Sequence, residues 1–77
     1  MKLEILSPDK RIYSGDADAL QLPGKDGLFG ILKNHAPMIS SLKKGMVKVS
    51  VNGKDELFEI NGGVVEVQSN KVIVLAE

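Results

Sequence analysis

The chain has 77 residues, ten basic against ten acidic side chains, one histidine and no cysteine. That length sets one domain, which buries only about 60% of its unfolded surface. The neutral balance makes a poor nucleic-acid binder, which needs a positive surplus, and is equally poor for direct adhesion to anionic lipid; the missing cysteines exclude disulfides and thiolate metal sites.

Met1, Leu3 and Ile5 alternate with Lys2, Glu4 and Leu6, and Ser7-Pro8-Asp9 then ends the run with turn chemistry. The opening MKLEIL has neither the apolar core nor the cleavage site of a secretory leader. Arg11–Ser14 reads as a second strand closed by Gly15, and Ala17–Leu22 as a third ended by Pro23-Gly24. Met38–Leu42 is a weaker element. The best strand follows Gly45, with Val47, Val49 and Val51 on one face and Lys48 and Ser50 on the other. Asn52-Gly53 is a strong hairpin signal, because both turn positions need positive φ. Lys54–Ile60 is the return strand, Gly62-Gly63 turns the chain, and Val64–Val67 and Val72–Leu75 form a last hairpin through Ser69-Asn70.

No window carries a convincing helical period. Eight or more short strands, with turn signals every eight to ten residues, predict an antiparallel sandwich or barrel. Tyr13, Phe29 and Phe58 are the only aromatics, so the core is aliphatic. No apolar run approaches the ~20 residues of a membrane span.

The segment LPGKDGLFGILKNHAP, Leu22–Pro37, has no clear strand or helix and gathers glycines, two prolines and the single histidine. Catalysis does not close around it. His35 has Ser40 and Ser41 nearby in sequence, but neither serine sits in a nucleophile elbow. His35 therefore reads as a loop or interface histidine. Zinc takes three or four His, Cys or acidic ligands, and one imidazole without cysteines is a poor set for it. Gly24, Gly27 and Gly30 have neither the dinucleotide spacing nor the Lys-Ser/Thr of a phosphate loop. They read as turn glycines in a loop that holds one shape for recognition. Ala36 precedes Pro37, which biases it to extended geometry, so His35-Ala36-Pro37 forms a rigid corner.

Three smaller features complete the reading. Lys43-Lys44 is a solvated turn. Asp16 and Asp18 flank Ala17 and so share one strand face. Lys54 lies near a hairpin tip, as the modified lysine of lipoyl and biotinyl carrier domains does. The flanking residues that carrier ligases read are absent, so this alternative is the weaker one.

Read in order, the residues resemble a known family: the N-terminal domain of the epsilon subunit of F-type ATP synthases. The resemblance spans the chain: Tyr13-Ser14-Gly15, Leu22-Pro23-Gly24, Gly27, Gly30-Ile31-Leu32, His35-Ala36-Pro37, Ser41-Leu42-Lys43, Gly45, Asn61-Gly62-Gly63, Val65-Glu66-Val67 and Val72–Ala76. It departs at Lys33 and Asn34, where the family often has Pro and Gly; Asn tolerates left-handed φ, so the turn survives.

The resemblance implies an all-β antiparallel sandwich of two five-stranded sheets spanning residues 1–77. It implies a non-catalytic rotor subunit in the central stalk, bound to the gamma subunit and the c ring. Ion flow through the membrane is thereby coupled to ATP synthesis. The c-ring contact falls on Lys25, Asp26, Gly27 and Leu28, and the gamma contact on His35, Ala36 and Pro37. Leu28 is expected to touch the ring and Phe29 to plug the sandwich end. No cofactor, metal, nucleic acid, membrane insertion or homo-oligomer is expected. The expected location is the cytoplasmic side of a bacterial membrane, through the complex. Many family members continue into a C-terminal helical hairpin, and this sequence stops where the hairpin would begin.

Overall fold

The computed structural model describes all 77 residues. Seven strands form it: β1 (Lys2–Ser7), β2 (Lys10–Asp16), β3 (Ala19–Gly24), β4 (Gly27–Leu32), β5 (Met38–Val51), β6 (Lys54–Gln68) and β7 (Lys71–Ala76). They are hydrogen-bonded in one continuous sheet, in the order β2-β1-β7-β6-β5-β3-β4.

The strand count is lower than the sequence predicts because two pairs of short strands are each one long strand. β5 and β6 have 14 and 15 residues. Their pairing runs from Met38↔Val67 to Lys43↔Gly62 and again from Gly45↔Ile60 to Val51↔Lys54. Lys44 and Asn61 fall at the break, where the hairpin bends from one layer into the other. Gly62-Gly63 is therefore a bend within a strand rather than a turn, and Lys43-Lys44 lies within β5.

The bend makes the sandwich. One layer holds β2, β1, β7, the second half of β6 and the first half of β5. The other holds the first half of β6, the second half of β5, β3 and β4. The expected pair of five-stranded sheets is thus corrected to a single seven-stranded sheet folded over itself. β1 and β7 pair in parallel, Leu3↔Val72 to Leu6↔Leu75, so the architecture is not wholly antiparallel.

Alternation does the rest. Leu3 and Ile5 of β1, Val65 and Val67 of β6, and Val72 and Val74 of β7 point inward from one layer. Leu20, Leu22, Ile31, Val47, Val49 and Ile60 meet them from the other. All belong to one cluster of 16 buried apolar residues. Tyr13 of β2 meets Phe58 of β6 edge to face, with ring centroids 5.4 Å apart, across the side of the sandwich away from β4.

The turns behave as their residues require. Asn52 and Gly53 both have positive φ, 52° and 77°, and Asn70 has 59°. Asp16 and Asp18 do not share a strand: Asp16 ends β2, and Asp18 lies in the link to β3. There the Asp18 carboxylate accepts the Asn52 N–H at 2.8 Å, while its own N–H donates to the Ser50 carbonyl at 2.8 Å. This ties the β2–β3 link to the β5–β6 hairpin tip.

Candidate functional site

Leu22–Pro37 is a hairpin and a corner rather than a long loop. β3 runs to Gly24, Lys25-Asp26 makes a two-residue turn, and β4 starts at Gly27. The sequence hides this because Gly24, Gly27 and Gly30 interrupt the apolar alternation that marks a strand. Gly27 has φ 132°, open only to glycine. Gly24 is needed for another reason: a Cβ there would lie 2.7 Å from the Phe29 ring. Phe29 thus folds over Gly24 and packs against the core.

The tip is anchored from beneath. Pro23 is buried, and a Cβ on Gly45 would lie 2.8 Å from the Pro23 Cβ. The Lys25 N–H donates to the Ser41 carbonyl at 3.2 Å, which joins the tip to β5. Above this base, Lys25 and Asp26 are exposed and Leu28 is 67% exposed. The side chains of neighbouring Leu28 and Phe29 therefore part, one to solvent and one to the core, as the period of two requires. A groove of about 550 Å³ lies between this tip and Ile39–Ser41 of β5.

The corner lies at the other end of β4. Lys33-Asn34 makes the turn with Asn34 at φ 62°, so asparagine does take the left-handed position. The His35 Nδ1–H donates to the Ala36 carbonyl at 2.7 Å. Ala36 and Pro37 are exposed and His35 is half-buried. Six residues of extended strand separate corner and tip by about 17–20 Å. The two patches are thus two places on the surface, not one site.

A third surface went unrecognised in the sequence. On the outer face of the five-strand layer, Leu75 sits between Leu6 of β1 and Val64 of β6 as cross-strand neighbours. Leu75 is 51% and Val64 39% exposed. One residue row away, Ile39 is 71% exposed beside Glu66, which is paired in turn with Ile73. The signal was present: Val64, Leu75 and Ile39 occupy the registers where alternation calls for polar residues.

The chemistry of these surfaces is contact chemistry: rigid backbone, exposed leucine and isoleucine, and few charges. Fold and surface together define a small β-sandwich domain with exposed apolar rows. The chain belongs to the ATP synthase delta/epsilon chain β-sandwich domain family, whose sequence profile matches residues 1–77. Among curated relatives, the ATP synthase epsilon chain of Chlorobium limicola is 47% identical over 77 residues, 99% of this chain and 88% of the relative. The epsilon chain of Leptospira interrogans is 36% identical over 77 residues, all of this chain and 61% of the relative. Among solved structures, a chain in the mitochondrial ATP synthase of Euglena gracilis superposes with a TM-score of 0.90 at 23% identity. That match covers 96% of this chain and 48% of the other, and it shows the shared fold.

Proposed function

We propose that this chain is the epsilon-type subunit of the central stalk of an F-type ATP synthase, a non-catalytic part of the rotor. The observation that carries the reading is the family match over all 77 residues, together with an epsilon chain of similar length at 47% identity. Its partners are the gamma subunit and the c ring. It sits at the membrane through the complex, on the cytoplasmic side in a bacterium. No helix of the chain is long and apolar enough to cross a membrane.

The c-ring contact is the hairpin tip, Lys25, Asp26, Gly27 and Leu28. Its support is a rigid base beneath exposed side chains, with one of them a leucine. The gamma contact is the corner His35, Ala36 and Pro37. A shallow groove joins Pro37 to Ile39 and Glu66 and so extends this contact onto the outer face of the five-strand layer. A few apolar anchors within a polar rim carry most of an interface's energy. Ile39, Val64 and Leu75 supply the anchors on this side.

A coupling subunit must pass torque without shearing. The two halves share one core and one unbroken sheet, and a close-packed interior resists deformation.

The test is a pull-down of the tagged chain against gamma subunit and c ring from the same cell. A stable ternary complex is expected. If neither partner is retained under conditions in which gamma and c ring bind each other, the assignment fails.

A further inference from the structure

The folded sheet leaves four strand edges open, and three are guarded. β2 carries Lys10, Arg11 and Asp16. The first half of β6 carries Lys54, Asp55, Glu56 and Glu59. The first half of β5 ends in Lys43 and is held at Ser41 by the Lys25 N–H. Charges and covering contacts of this kind keep edges from pairing with other chains. β4, GLFGIL, has no charged residue at all.

β4 pairs only with β3. The two-residue turn makes Gly24↔Gly27 a hydrogen-bonded pair, and Pro23, opposite Leu28, has no donor. Antiparallel alternation then aims the N–H and C=O groups of Leu28, Gly30 and Leu32 away from β3. None of the five backbone bonds outside the strand ladders reaches them. Leu28 and Leu32 are 67% and 65% exposed, and Gly30 between them is exposed too.

This edge is its own complement. The two leucines stand two residues either side of Gly30, so the strand presents the same pattern in either direction. A second copy laid antiparallel about Gly30 sets Leu28 of each copy opposite Leu32 of the other. Asp26 of each copy then stands opposite Asn34 of the other, one residue from Lys33, so the turns that close β4 bring opposite charges to the same end of the interface. Neither charge is used within the chain, whose two ion pairs are made by Glu4, with Arg11 and Lys71.

We propose that the free chain forms a two-fold homodimer through β4, continuing the four-strand half of the sheet across the dyad. The partner is a second copy of the same chain, held by backbone hydrogen bonds and the paired leucines. This departs from the sequence expectation of no homo-oligomer. The interface is one strand wide, so the dimer is weak and concentration-dependent. The edge includes Leu28, so a second copy and any partner seated on the hairpin tip exclude one another.

Sedimentation velocity of the purified chain, from low micromolar to near-millimolar concentration, tests this. The 8.3 kDa monomer is expected to give way to the dimer as concentration rises. Gly30→Pro removes the central outward donor and leaves the β3 ladder intact, since that N–H faces away from β3. Leu32→Lys places a charge opposite Leu28. Each is expected to raise the dissociation constant about tenfold or more, with an unchanged circular dichroism spectrum. If Gly30→Pro disturbs the fold, Leu32→Lys decides. A wild-type chain that stays monomeric throughout, or a dimer that survives a folded variant, overturns the proposal. Neither result touches the stalk assignment, which rests on the gamma and c-ring pull-down.

Discussion

Gly63 in β6 and Gly27 at the start of β4 have nearly the same backbone, φ 142° and φ 132°, in surroundings that differ completely. At Gly63 a Cβ would run into the Leu75 carbonyl and come within 3.1 Å of the Ala76 Cα. At Gly27 it would meet nothing within 4 Å. One glycine lets two strands close around a bend, and the other lets a hairpin tip take its shape in open solvent. Crowding marks the part of the molecule that holds the fold together. Open space around an equally constrained backbone leaves the hairpin tip free to meet solvent or, under the proposed function, the c ring.

Alanine at each position separates the two effects. Gly63→Ala carries both the conformational cost and a backbone collision that β7 can relieve only by leaving its register. We expect a loss of more than about 3 kcal/mol, enough to unfold much of a domain this small. Gly27→Ala carries the conformational cost alone, about 1–3 kcal/mol, with the fold retained. Urea unfolding of both variants measures the difference. Equal losses would show that space around the bend is not what sets its cost.

The same contrast explains what was legible in the sequence. Asn52-Gly53 and Ser69-Asn70 announce their turns, because positive φ is a local property that residue type reveals. The valines of β5, β6 and β7 announce their faces, because strand period is local too. The joining of strands across Gly45 and Gly62-Gly63 was hidden. A glycine that turns a chain and one that bends a continuous strand look alike until the partner strand is known. The parallel β1–β7 pair was hidden for the same reason, since nothing in Lys2–Ser7 specifies what lies beside it. At the candidate site, residue type singles out tip and corner, but the glycines of β4 mask a strand whose open edge is itself a feature. Leu75 and Val64 break the alternation in the sequence, but that they form one outer row appears only once register brings them side by side.

Leu28 and Phe29 sharpen the comparison within one dipeptide. Phe29 packs against the core and over Gly24. Phe29→Ala is expected to cost about 2 kcal/mol, below the 3–5 of a fully buried phenylalanine because the ring is half-exposed. Leu28→Ala, at 67% exposure, is expected to change stability by less than about 0.5 kcal/mol. Retention by the c ring should respond in the opposite sense, falling with Leu28→Ala. Thermal unfolding paired with the pull-down gives both values for each variant. A Leu28→Ala chain that binds as well as wild type would move the c-ring contact off the hairpin tip.

A loss smaller than that at Phe29 is expected at the far end of the long hairpin, where Asp18 accepts the Asn52 N–H. This contact resembles the Lys25–Ser41 bond at the other tip, in that each pins a turn to a neighbouring segment. It differs in being carboxylate to backbone rather than backbone to backbone. Asp18→Ala removes the acceptor but leaves the Asp18 N–H to Ser50 carbonyl bond, so the β2–β3 link keeps one of its two ties to the hairpin. Water can replace the lost partner at an exposed site, and the loss should be about 0.5–1 kcal/mol. Amide hydrogen exchange at Asn52 is the sharper measurement, because the turn should open locally before the sandwich does. Faster exchange confined to the β5–β6 tip is the expected result. Faster exchange spread into β3 would mean that the link, and not the turn, is what Asp18 secures.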